Sequence, residues 1–399
     1  MISGRDIIII SSIEWGFIWQ GHQEMALRFA RAGNRVLYIE NTGVRSPGIK
    51  DLSRVTSRLK RWLKALHSSG VREVEKNLYV CSPLVLPPYG SRFRHFLNST
   101  IFLPAIKRNA KRLGIQDALI WSYLPTDTAL DLMNTLRDEN STIVYYVGTD
   151  FDQLVSDLKR LRVSEQKVID LCDVLITNCS TLTTRYSDLT DKFVHTFQFG
   201  VDLSAFQTEE DETKINRQIL HLLTKVESLK RPVIGYIGGI HRHVDFDLLV
   251  ESAKARPDWS WVFIGPIQTD VGELSGLPNI HFMGQQSHED LIHFTRRFDV
   301  CIVPYLNNAF TATVVPVKLN EYLAVGKPVV STNIPMVSEF NKKHSIILTC
   351  KNTHDGFLSA IEKQLNKPDD KCEIERRKKV AALSEWHARL DAICEVIKK

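Results

Sequence analysis

The chain of 399 residues has no C-x-x-C pair, no internal repeat and no low-complexity tract. It also has no apolar run approaching the ~18 residues that a membrane-spanning helix needs. That last absence excludes a helical span. The seven cysteines (81, 172, 179, 301, 350, 372 and 394) are odd in number and scattered. Several lie inside apolar runs, as in Val300-Cys301-Ile302-Val303. Buried free thiols are expected, rather than a disulfide framework or a zinc site. The run Ile7 to Ile10 near the start is too short for a signal peptide and lacks its flanks. It reads as a first buried strand, and residence in the cytoplasm is expected.

What is present is ordinary for a globular protein, with 43% hydrophobic and 24% charged residues. A chain of this length usually splits into two cores. Strand-like and helix-like segments alternate. Asp6–Ser11, Arg35–Glu40, Leu78–Cys81, Ala118–Trp121, Ile143–Val147 and Val174–Thr177 read as strands, with helical stretches between them. After the polar stretch Gln207–Lys230 the rhythm starts again with Val233–Ile237 and Gly238-Gly239. This pattern predicts an α/β fold of two Rossmann-like, doubly wound domains facing a central cleft. The expected limits are 1–200 for the first domain, 201–230 for a linker and 231–370 for the second. Residues 371–399 are expected to form a C-terminal helix that crosses back to the first.

The segment Asn308–Ser331 (NAFTATVVPVKLNEYLAVGKPVVS) carries the sharpest chemistry. A strand ending at Pro304-Tyr305 leads through a Thr-rich loop into a helix. Thr311 and Thr313 offer hydroxyls beside the helix start, and Pro316 suits its first turn. The helix N-terminus and Lys318 favour a diphosphate. Glu321, three residues on, can accept hydrogen bonds from a ribose diol. The same residues also suit an ordinary amphipathic helix with a surface lysine and glutamate.

This segment resembles the donor-site signature of retaining GT-B glycosyltransferases of family 4. The similarity is greatest to the bacterial envelope-polysaccharide branch of teichuronic-acid-type hexosyltransferases. The matching residues are Pro316, Lys318, Glu321-Tyr322-Leu323-Ala324 and Gly326-Lys327-Pro328-Val329-Val330-Ser331-Thr332. Asn178-Cys179-Ser180, Gly200-Val201-Asp202 with Phe206, and Ser384–Leu390 with Trp386 and Arg389 also resemble family segments. The resemblance implies the GT-B architecture and a nucleotide-sugar donor. It implies transfer with retention, with no cofactor beyond that co-substrate and no metal. Donor contacts are expected from Gly238, Gly239, Arg242, Thr311, Thr313, Lys318 and Glu321.

The chain departs from the family pattern in three places. Thr313 stands where many relatives have the first Glu of an E-x7-E motif. Gly239 and Val244 stand where relatives often carry Arg and Lys, leaving His241, Arg242 and His243 as substitutes for phosphate contact. No histidine lies near Trp121-Ser122-Tyr123, where many relatives have one. Asp150 is the candidate catalytic group, with helix N-capping as its plain alternative. In the loop after the first strand, Glu14, Trp15 and Gly16 are expected to face the sugar and acceptor, with Trp19 nearby. The strings Asp150–Asp152 and Asp245–Asp247 are short, and capping explains the second, so no metal site is expected.

Residues 45–112 hold 15 basic and 3 acidic residues. Ser53–Ser68 sets Val55, Leu59, Trp62, Leu63 and Leu66 against Arg54, Arg58, Lys60, Arg61 and Lys64, the composition of an interfacial helix. An anionic membrane surface is therefore the expected partner of the 53–112 region, with peripheral attachment at the inner face. Nucleic acid is not expected, because no recognised motif accompanies the charge. The combined reading is sugar transfer from an NDP-sugar to a hydroxyl of a glycan or lipid-linked acceptor in envelope polysaccharide synthesis. The rivals are a nucleotide-sugar 2-epimerase and a non-catalytic sugar-nucleotide-binding partner of another transferase.

Overall fold

The computed structural model describes residues 1–40, 70–83, 85–86, 92–155, 157–207, 213, 215–367 and 370–398. The interfacial helix expected over 53–68 lies outside the described residues. The chain divides into two compact units. The first is Met1–Phe197 with Leu390–Lys399, and the second is Gln198–Arg389.

The first unit is built on eight strands: β1 (Asp6–Ile10), β2 (Arg35–Ile39), β3 (Val71–Glu75), β4 (Leu78–Cys81), β5 (Leu119–Ser122), β6 (Thr142–Val147), β7 (Val174–Thr177) and β8 (Val194–Thr196). Their order across the sheet is β3-β4-β2-β1-β5-β6-β7-β8. Central strands such as β1 are near-continuous apolar runs, because helices cover both faces of a parallel sheet. Ile7 to Ile10 are accordingly buried. Among the described strands only the edge strand β3 runs antiparallel, paired with β4. Its VREVE pattern is half exposed, and Asn77 closes the hairpin at φ 65°.

Helix Arg92–Leu97 passes through a π-helical turn, Asn98–Phe102, into helix Leu103–Arg112. Pro104 accounts for the irregularity, since its nitrogen cannot donate to the preceding turn. Asn98 fastens the turn to Leu86, accepting its N–H at 2.8 Å and donating to its carbonyl at 3.2 Å.

The second unit carries β9 (Val233–Ile237), β10 (Ser260–Ile264), β11 (Ile280–Phe282), β12 (Val300–Val303), β13 (Val329–Thr332) and β14 (Leu348–Cys350). The order β11-β10-β9-β12-β13-β14 is the mononucleotide-binding pattern of two mirrored βαβαβ halves. Strand order reverses between β9 and β12, so the crevice beyond their carboxyl ends is where such a sheet binds ligands. Those ends are Gly238-Gly239 and Pro304-Tyr305.

Two expectations are corrected here. The stretch 201–230 is no simple linker. It contains helices Leu203–Gln207 and Arg217–Glu227, and Phe206, Ile219, Leu223 and Val226 join the second core. Helical spacing of those apolar side chains outweighs the polar residues between them. The C-terminal stretch folds as two helices, Lys371–Ala382 and Trp386–Ile397, and Leu390 onward groups with the first unit. All seven cysteines are free. Among the described residues, no helix is long and apolar enough to cross a membrane.

Candidate functional site

The helix Val317–Ala324 has Pro316 as its N-cap. Its far end is closed by Gly326 at φ +84°, whose N–H donates to the Leu323 carbonyl while that of Lys327 reaches back to Tyr322. A left-handed residue with this bond pair is a common helix stop, and glycine adopts it without Cβ strain. The Tyr322 hydroxyl accepts the Ile237 N–H at 2.9 Å, which ties the helix to the carboxyl end of β9.

Lys318 extends from the first turn across the Gly238-Gly239 turn. Its Nζ lies 3.6 Å from the centroid of the Tyr236 ring and 5.2 Å from that of Tyr305. A Cβ added at Gly238, where φ is +106°, would come within 3.0 Å of that nitrogen. The Tyr236 hydroxyl donates to the Gly239 carbonyl at 2.8 Å and fixes the turn. Burial pushes the Lys318 pKa well below the ordinary lysine value, and nearby Glu321 opposes the shift. A cation held over ring faces at a sheet switch point, beside a helix N-terminus, is arranged to receive an anion.

Glu321 lies one turn further on and is 8% exposed. Its Oε1 is 2.9 Å from His288 Nε2. The His288 ring meets Phe206 edge-on, with centroids 5.4 Å apart. His288 was not legible as a site residue, because it stands 33 positions from Glu321 in a loop without a motif.

The structure thus gathers Gly238, Gly239, Lys318 and Glu321. Arg242 sits on the exposed loop after Gly239, its Nε 3.4 Å from His243 Nε2. His243 stacks on Phe310 at 3.9 Å, which brings this loop beside the Thr-rich one. Burial, with Lys318 next, lowers the His241 pKa to about 3, so this ring is neutral. The Thr311 hydroxyl is engaged within its own loop, 2.5 Å from the Leu306 carbonyl and accepting the Asn308 N–H at 3.0 Å. The Thr313 hydroxyl donates to the Phe310 carbonyl at 3.1 Å. Asp245 caps helix Phe246–Ala255, accepting the Leu248 N–H at 3.1 Å.

In the first unit the order reverses between β1 and β5. Glu14, Trp15 and Gly16 form the loop beyond β1. The Trp15 N–H donates to Glu40 Oε1 at 3.0 Å, and its ring packs edge-on against Trp19 and Tyr38. Gln23 braces the loop through the Glu14 carbonyl at 3.4 Å. Gly16 itself is exposed. A histidine from another element packs against the Trp121-Ser122-Tyr123 strand end. His22, from the helix after β1, stacks on Tyr123 at 3.6 Å, with its Nδ1 2.9 Å from Ser11 Oγ. Burial lowers its pKa to about 3, so it too is neutral. Asp150 lies beyond β6, 4% exposed, in a two-point pair with Arg185 at 3.0 and 3.1 Å. It also caps the short turn Phe151–Gln153. Among the described residues, no group of three or more His, Cys, Asp or Glu side chains is placed to hold a metal ion.

Two mostly parallel sheets of this order make up the GT-B fold. Over 99% of its length the chain superposes on sucrose-phosphate synthase from Thermosynechococcus elongatus, with TM-score 0.71, 15% identity and 98% of that chain covered. It also superposes on Anabaena Alr3699/HepE, solved in complex with UDP and glucose, with TM-score 0.66, 13% identity and 99% of each chain covered. These likenesses establish the fold. Residues 224–381, which lie within the second unit, match the family model described as "Glycosyl transferases group 1". Over 198 residues the chain is 33% identical to the putative teichuronic acid biosynthesis glycosyltransferase TuaH of Bacillus subtilis (strain 168). That match takes in 49% of this chain and 48% of the relative, so it spans about half the length of each.

Proposed function

We propose that the protein transfers a sugar from a nucleoside-diphosphate sugar to a hydroxyl of a glycan or lipid-linked acceptor in cell-envelope polysaccharide synthesis. The match to the group 1 family model and the likeness to TuaH support this reading. The observation that carries it is the placement of Lys318 Nζ over Tyr236, against the Gly238 turn at the switch point of the second sheet. When the bond from the anomeric carbon to the diphosphate breaks, negative charge collects on the leaving group. Lys318, with the N-terminus of helix Val317–Ala324, is preorganised to stabilise that charge. Glu321 accepts the ribose hydroxyls and sets the donor's register. Retention and independence of a metal ion are parts of the same proposal, carried over from the family resemblance. The pairing of Asp150 with Arg185 supports a scaffold role for that carboxylate.

The test is a thermal-shift screen of NDP-sugars, followed by transfer assays with the best binder. One donor is expected to stabilise the protein and to lose most of that effect in Glu321→Ala. Equal stabilisation of the two proteins would refute the donor-site assignment. Release of a free sugar without any acceptor requirement would favour an epimerase instead.

An anionic membrane surface is the partner we infer for the 92–112 region. Phe93, Phe96 and Ile101 are 67%, 59% and 53% exposed, and Arg108, Lys111 and Arg112 are exposed further along the same stretch, which holds no acid. Apolar side chains that insert, set next to cations that meet lipid phosphates, suit an interfacial helix. Flotation with anionic vesicles checks it. Phe93→Ser with Phe96→Ser is expected to abolish binding, and unchanged binding would rule the surface out.

A further inference from the structure

Glu321 is the residue that has to define a ribose, yet a glutamate carboxylate on a helix turns freely about its last bond. Something has to fix its plane if two neighbouring hydroxyls are to donate to it together. The side chain in contact with it is His288, whose Nε2 lies 2.9 Å from Oε1 with both groups mostly shielded from water. An ionised carboxylate only accepts, so the bond requires a proton on Nε2.

The imidazole is itself held from two directions. Phe206, 1% exposed, packs against it edge-on. Its backbone closes a turn: the Asp290 N–H donates to the Ser287 carbonyl at 3.1 Å, and the Leu291 N–H to the His288 carbonyl at 3.3 Å. The carboxylate is therefore gripped from a side that the helix does not control, and no hydrogen bond from the described residues takes its second oxygen. We propose that His288 is a positioning residue, orienting Glu321 for a vicinal ribose diol, with Phe206 as its backing. The assignment rests on the donor-site reading given above. Immobilising one such side chain in advance is worth roughly 2- to 10-fold in affinity.

The experiment is calorimetric titration with UDP and 2′-deoxy-UDP, extended to the other ribonucleoside diphosphates and their 2′-deoxy forms if UDP gives no heat. The variants are Glu321→Ala, His288→Ala, His288→Gln and the double alanine variant. The intact protein is expected to prefer the ribo form. Glu321→Ala should erase that preference and His288→Ala should shrink it several-fold. His288→Gln, which keeps an N–H donor, should restore most of it. The double variant should be no weaker than Glu321→Ala, because the two residues act in series. In turnover the donor KM should rise in His288→Ala with kcat within about twofold.

A merely structural histidine would weaken both nucleotides equally, and that result overturns the assignment. So does an equal loss from His288→Ala in the presence and absence of Glu321. If Glu321→Ala erases the preference and His288→Ala leaves it intact, the assignment alone fails. If no nucleoside diphosphate binds the intact protein, the donor-site reading fails first and takes the assignment with it. Should His288→Ala not fold, His288→Phe keeps a ring against Phe206 and removes the donor.

Discussion

Two groups of charged side chains lie beyond strand ends in this chain, one in each unit, and they are built in opposite ways. Beyond β6, Asp150 and Asp152 share Arg185, and Arg162 pairs with both Asp152 and Glu165. Glu165 also accepts the hydroxyls of Tyr145 and Tyr186. Burial raises its pKa, and the two hydroxyls and Arg162 counter the shift. Every charge there is answered from within the protein. Beyond β9, by contrast, the Lys318 ammonium lies over tyrosine rings, with its charged form disfavoured by burial. A closed network holds a scaffold, whereas a cation that contacts no counter-charge among the described residues is built for a ligand that brings one.

The largest expected effect separates the two groups by activity. Lys318→Met should lower the transfer rate by roughly 10²- to 10³-fold, the usual cost of deleting one preorganised donor to a developing anion. Its denaturation midpoint should stay near that of the parent. The converse variant is Arg185→Leu, which leaves Asp150 buried without its partner. It should lose about 3 kcal/mol of stability in denaturant titrations while the surviving folded protein keeps its rate. A loss of transfer in Asp150→Asn with unchanged stability would break the comparison, because the first cluster would then be chemical.

Gly238→Ala should weaken nucleotide binding about tenfold, since the new methyl group crowds Lys318 in a backbone region costly for any side chain. Affinity should also respond to pH in a definite direction. Below the lowered pKa of Lys318 the lysine is already charged, and binding is at its plateau. Above that pKa the diphosphate must bring in a proton, so affinity falls with rising pH, by at most about tenfold per unit. Calorimetry across pH should show this slope in the parent and lose it in Lys318→Met. Thr311→Val is the mildest change. It should cost about 1 kcal/mol of stability through the lost loop bonds and alter nucleotide affinity little.

Much of this was legible in advance. Ile7–Ile10 and Val300–Val303 declare buried strands by their continuous apolar runs. Gly326 marks a helix end, because its sequence neighbours alone determine the need for a left-handed residue. Strand β3 was not legible, since a half-exposed edge strand shows no strong alternation. Helix Arg217–Glu227 was masked by the polar residues on its wet face. Thr311 looked like a ligand-facing hydroxyl because a Thr-rich loop does not reveal which oxygens its own backbone will claim.

The sequence alone determined the two parallel sheets, the glycine turn after β9 and the Lys318 to Glu321 spacing, because helical and extended periodicity act over a few residues. Only the tertiary structure decided that Lys318 reaches the Gly238 turn, that His288 meets Glu321, and that His22 takes a place beside Tyr123. Those pairings join residues tens of positions apart, and no local preference of the chain encodes which side chains packing will bring together.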